Sequence, residues 1–81
     1  DSNEIYSRPI PAIVVGKTVG EFFKWAAALK DNGVDMLPIA ISRKNKMYVN
    51  PRGSQLNVME QGDVFFAICD SADILKKACG E

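Results

Sequence analysis

The chain contains no histidine at all. That absence removes the commonest general base and the commonest neutral metal ligand in one stroke. Nucleophilic catalysis would then need a lysine or a carboxylate beside the nucleophile, and no Ser/Lys or paired-carboxylate spacing stands out. The chain is therefore expected not to be an enzyme. Cysteine is scarce too: Cys69 and Cys79 sit in or beside apolar runs, with no C-x-x-C pair. A zinc site would have to combine two thiols with carboxylates, so reduced, buried thiols of a cytosolic protein are the expectation. No G-x-G-x-x-G occurs, and no apolar run approaches the ~18 residues of a membrane span. No signal peptide opens the chain, so no direct membrane insertion is expected.

Charge of one sign is also lacking. Ten basic and ten acidic residues cancel, and the isoelectric point is near 6.4. A nucleic-acid partner, which would call for a basic excess, finds no support. The charges are unevenly spread, however. Between Met36 and Met59 there is no acid, while Arg43, Lys44, Lys46 and Arg52 all fall there. The acids Glu60, Asp63, Asp70 and Asp73 follow. A solvated hairpin tip accounts for the basic stretch, and an anion contact is the sharper alternative. The acids match no calcium-loop spacing and read as turns and a helix cap.

What is present is a foldable single domain, residues 1–81. Hydrophobic residues make up 47% of the chain, with a mean hydropathy of -0.06. A domain this short buries only roughly 60% of the surface its unfolded chain exposes. A core that thin is often completed in a partner, which makes self-association an expectation from size alone. A chain opening on Asp1 rather than methionine reads as part of a longer protein.

Residues 1–8 read as a flexible lead-in, and Pro9 to Val15 as a short strand begun by two prolines. Thr18-x-x-Glu21 is a capping-box pattern, and Val19, Phe22, Phe23, Ala26 and Leu29 recur at helical spacing. Trp25 lies at the margin of that stripe. Asp31-Asn32-Gly33 stops the helix. Met36 to Arg43 reads as a strand, bulged or edge-like near Pro38, with Leu37, Ile39 and Ile41 sharing a face. Lys44-Asn45-Lys46 turns it into Met47-Tyr48-Val49 as a hairpin. Asn50-Pro51-Arg52-Gly53 turns again. Gln55 to Met59 reads as a short extended piece with Leu56 and Val58 inward. Val64 to Cys69 is apolar at every position, a pattern expected of a strand covered on both faces. Asp70 or Ser71 then caps a last short helix bearing Ala72, Leu75, Ala78 and Cys79. The predicted class is α/β (α+β): a small, mostly antiparallel sheet covered by helices, in the order β-α-β-β-β-α.

Gly16-Lys17-Thr18 opening a helix, then Ile39-Ala40-Ile41-x-Arg43, Asn45-Lys46, Asn50-Pro51 and Gly62-Asp63 before an apolar strand, form an ordered set. In that order they resemble the C-terminal (TrkA-C) domain of regulator-of-potassium-conductance proteins, from about Ala12 to Asp70. The resemblance implies a homodimerising domain on the cytoplasmic side of the membrane, tied to the pore or transporter subunit of a potassium or other cation system. In several members the dimer cleft takes a small regulatory ligand, and in some a cyclic dinucleotide held by an aspartate and an arginine. Here Ile41-Ser42-Arg43 supplies the arginine, with no aspartate beside it. Gly16-Lys17-Thr18 lacks the upstream glycine of a phosphate loop and serves as turn and cap.

Two sets of candidates follow. Arg43, whose planar fork suits an anion, leads the ligand-contact set, with Lys46, Asn50 and Arg52 as companions. Phe22, Trp25 and Leu29 on the helix, or Ile39 and Ile41 on the strand, are the interface candidates. Phe22 and Leu29 equally suit a simple core. A purely structural interaction domain without a small-molecule ligand is the alternative to a sensing one.

Overall fold

A computed structural model describes residues 4–52 and 55–80. Glu4–Pro9 is β1, Val19–Leu29 is α1, Leu37–Arg43 is β2, Lys46–Val49 is β3, Val64–Cys69 is β4 and Ala72–Ala78 is α2. The four strands form one sheet in the order β1-β4-β2-β3, and every neighbouring pair is antiparallel. β1 and β2 therefore run the same way with β4 between them, so β1-α1-β2 is a split crossover. The fold is α+β, with four antiparallel strands and two helices.

The capping box forms as its residues dictate. The Glu21 amide donates to Thr18 Oγ1 at 3.1 Å, and Glu21 Oε1 accepts from the Thr18 amide at 2.8 Å. That backbone hydrogen bond lowers the Glu21 pKa. The helix then lays Val19, Phe22 and Ala26 into the core. A single 3-10 turn, Lys30–Asn32, follows before Gly33 stops it at φ +80°.

Both helices cover the same face of the sheet. Phe22 and Trp25 of α1 meet Phe65 of β4 at ring-centroid distances of 5.6 and 6.4 Å. Leu75 of α2 joins Phe65, Ala67 and Cys69 in the same buried cluster. Leu56 and Met59 close that cluster from the long β3–β4 connection, where Met59 exchanges backbone hydrogen bonds with Gly16 and Lys17, each at 2.8 Å.

Four sequence expectations need correction. First, the strand expected at Pro9 to Val15 lies earlier, at Glu4–Pro9, and Ala12–Val14 is a 3-10 turn. The polar Glu4–Arg8 segment is ordered because β4 offers it a ladder along its whole length, while Asp1–Asn3 lie outside the described residues. An edge strand needs only one apolar side, and Pro9 closes it where no further amide is required. Second, the alternation in β2 is broken by a bulge at Ile39, between Pro38 and Ala40. The added residue turns Leu37 away from the core and Ile41 into it. Third, the inward pair in the β3–β4 connection is Leu56 and Met59; Val58 is half-buried. Fourth, among the described residues β4 is covered on one face only. Phe65, Ala67 and Cys69 are buried, whereas Val64, Phe66 and Ile68 are half-exposed.

Ladder register lays out that second face in three rows. Ile5, Ile68 and Leu37 form one; Ser7, Phe66, Ala40 and Val49 form the next; Pro9, Val64, Ser42 and Met47 form the third.

The hairpin turn is as its residues suggest. Lys44 and Asn45 both adopt positive φ, 51° and 65°, the two-residue arrangement whose twist matches paired strands.

Candidate functional site

Arg43 ends β2 and projects toward the β3–β4 connection rather than toward solvent. Its Nε donates to Asp63 Oδ1 at 2.8 Å and its Nη2 to Asp63 Oδ2 at 2.7 Å. Nη2 also reaches the Val58 carbonyl at 2.7 Å, and Nη1 lies 3.4 Å from Glu60 Oε2. The carboxylate is held from behind by the Glu60 amide, which donates to Asp63 Oδ2 at 2.8 Å. Asp63 itself is 1% exposed. Burial by itself would raise the Asp63 pKa, but the Arg43 fork and the Glu60 amide outweigh it and hold the carboxyl below its usual value. The Asp63 hydrogen bond raises the Arg43 pKa despite desolvation. Glu60-Gln61-Gly62-Asp63 is thus a structural turn locked onto the end of β2. Gly62 enables it at φ +95°.

That geometry gives the leading ligand candidate partners within the chain. Nε and Nη2 of the fork are committed to the buried carboxylate and the Val58 carbonyl, which leaves Nη1, beside Glu60, as its outward donor. The remaining candidates are dispersed. Lys46 Nζ sits 5.2 Å from the centre of the Tyr48 ring. Asn50 turns the chain at φ 48° and its amide donates to the Ile39 carbonyl at 2.7 Å. The Arg52 amide donates to Gln55 Oε1 at 3.0 Å, while its side chain is exposed. Asn50 and Arg52 do share a shallow polar depression of about 340 Å³ with Val49 and Gln55. Arg43 is not part of it. Gly53, the last residue of the expected turn there, lies outside the described residues.

The interface candidates divide in the same way. Phe22 and Ile41 are fully buried, so neither belongs to a docking surface; one centres the aromatic cluster and the other is drawn inward by the bulge. Trp25 is half-buried, with its ring 5.8 Å from Phe22. Leu29 packs on the core from its margin. Ile39 is half-buried at the bulge itself.

Two surface features went unread in the sequence. One is the open face of the sheet. Its outermost side chains are Ile5, Leu37, Met47 and Val49, exposed by 60%, 61%, 49% and 69%. The signal for it was β4, apolar on both sides, where the described residues cover only one. The other is a groove of about 470 Å³ between α1 and the start of β2, lined by the apolar Phe23, Leu37 and Ile68 and by the charged Lys30, Asp35 and Asp70 among others. Leu37 and Ile68 belong to both, so the groove opens directly onto the sheet face.

Comparison with solved structures places this architecture. The chain is similar to a part of the human SLO3 gating ring, with a TM-score of 0.74 over 94% of its length at 18% identity. It spans 13% of that chain. No family model matches the sequence, and no curated protein matches it. The likeness shows the fold alone, and that fold is in line with the resemblance carried by the turn motifs. Among the described residues no helix is long and apolar enough to cross a membrane.

Proposed function

We propose that this chain is a cytosolic regulatory domain of a potassium or other cation channel or transporter, and that it acts by binding and pairing rather than by catalysis. The observation that carries the reading is the fold shared with the SLO3 gating ring over nearly the whole chain. Ordered motifs of the TrkA-C type, from Gly16-Lys17-Thr18 to Gly62-Asp63, support it independently of that likeness. In this reading two copies pair, and a small regulatory ligand in the cleft between them shifts the parent assembly. It can do so only through unequal affinity for two arrangements. With the Arg43 fork engaged by Asp63, the anion-contact role falls to Asn50 and Arg52.

The internal closure of Arg43 also favours a second reading, in which the domain holds a complex together and takes no small molecule. Calorimetric titration with nucleotides, cyclic dinucleotides and divalent cations separates the two. Saturable heat that Arg52→Ala diminishes supports sensing. Absence of heat across the panel, for a chain that still pairs, supports the structural reading and overturns the sensing one.

A further inference from the structure

We propose that the groove between α1 and the start of β2 binds a small organic cation, an ammonium group carried on an apolar body. The site lies within a single chain and apart from the depression at Asn50 and Arg52. It therefore rests neither on pairing nor on the anion contact of the regulatory reading. The groove holds about 470 Å³, within the roughly 300–1,000 Å³ of small-molecule sites. The path of the chain explains how it arises. α1 passes into the 3-10 turn Lys30–Asn32 and is stopped at Gly33, and β2 begins only at Leu37. The bulge at Ile39 leaves Leu37 facing outward, 61% exposed. Leu37 thereby joins Phe23 of α1 and Ile68 of β4 as apolar lining.

Charge selects the occupant. The lining carries one lysine, Lys30, against two aspartates, Asp35 and Asp70. Lys30 Nζ lies 3.8 Å from Asp35 Oδ1, which leaves Asp70 as the unmatched charge. No structural duty accounts for it. Ser71, not Asp70, is the N-cap of α2, and no side chain caps that helix. Among the described residues the Asp70 carboxylate takes part in no ion pair or hydrogen bond. A carboxylate beside an apolar wall complements an ammonium on a hydrocarbon body. An anion would instead meet two carboxylates and a single lysine that is already paired. A neutral apolar molecule would strip water from Asp70 and return nothing for it. A hydrated metal ion gains nothing from the apolar wall, and among the described residues no three His, Cys, Asp or Glu side chains converge to hold one. Phe23 adds an aromatic ring, which attracts a cation further. Asp70 is exposed, so its attraction is partly screened and the ligand is held weakly and reversibly.

Hexylammonium, hexanol and hexanoate share a tail and differ in the head group, so they separate the apolar contribution from the charge. Each is titrated into the unaltered chain and followed by amide and methyl NMR. The expected result is saturable shifts with hexylammonium at Ala27, Leu37, Ile68 and Asp70, weakening as salt is raised. Hexanol should bind more weakly, and hexanoate weakest of the three. Asp70→Asn should reduce hexylammonium affinity by about threefold, the scale of an exposed ion pair, and leave hexanol affinity unchanged. Ala27 is exposed on α1 and lines the groove. Ala27→Phe should fill the groove and abolish binding of both probes, with unchanged circular dichroism. Absence of saturable shifts with hexylammonium overturns the inference, as do shifts centred elsewhere. Hexanoate binding as tightly as hexylammonium overturns it too, as does hexylammonium affinity that Asp70→Asn leaves intact. The regulatory reading would survive any of these results, because nucleotide titration tests it separately.

Discussion

Arg43 and Asp63, twenty positions apart, make a two-pronged ion pair whose contacts measure 2.8 and 2.7 Å. The pair ties the end of β2 to the start of β4 and clamps the turn between Glu60 and Asp63. Its worth lies mainly in what its loss would leave behind, because removing one partner of a buried pair strands the other without compensation.

Arg43→Ala is expected to destabilise the fold by about 3 kcal/mol, the cost of an unpaired buried carboxylate. The double variant Arg43→Met with Asp63→Leu is expected to recover most of that loss, since it removes both charges together. Urea denaturation of the two single variants and the double variant checks this through a mutant cycle. Additive losses would show that the pair is not coupled.

The same pair sets the acid limit of the domain. Asp63 has a folded-state pKa below its unfolded value of about 3.9, held there by the Arg43 fork and the Glu60 amide against burial. A depressed carboxyl contributes stability that is full above the unfolded pKa and is lost as pH falls through the folded one. Stability should therefore decline below about pH 4. Asp63→Asn should flatten that part of the profile while lowering stability at neutral pH. Denaturation midpoints between neutral and acidic pH test both halves.

α1 offers an independent test. Thr18→Ala removes the oxygen that accepts the Glu21 amide and is expected to cost about 1 kcal/mol. Thr18→Ser keeps the acceptor and should cost only a small part of that. Chemical denaturation of both variants distinguishes loss of the cap from loss of the threonine methyl group.

How far these features can be read before folding depends on the range over which their causes act. The capping box at Thr18 and Glu21, the stop at Gly33, the Lys44-Asn45 turn and the bulge near Pro38 are local, and the local residues declare them. β1 is not local. Glu4 to Pro9 is a strand because β4 pairs with it across the sheet, and nothing in Glu-Ile-Tyr-Ser-Arg-Pro signals that. The Arg43–Asp63 pair depends on a long connection closing, so Arg43 read as a free anion contact until its partner arrived. One inserted residue at Ile39 reverses Leu37 and Ile41, because a strand alternates with a period of two. The sequence could mark that strand as apolar, but not which of its side chains would be left outside.

Trp25 decides between two uses of an aromatic side chain. At the edge of the helical stripe it suits an interface, yet its ring lies 5.8 Å from Phe22 and 6.4 Å from Phe65. Aromatic pairs in that range add about 0.5–1.5 kcal/mol beyond the area they bury. Trp25→Ala should accordingly lower the stability of the monomer by about 2 kcal/mol, less than the 3–5 kcal/mol expected for Phe22→Ala at the fully buried centre. Where two copies pair through a surface other than α1, the same substitution should leave the dimerisation constant unchanged wherever the variant is still folded. Denaturation at low concentration and sedimentation at high concentration read the two quantities separately. A Trp25→Ala chain that keeps its stability but loses its dimer would return the interface to the helix.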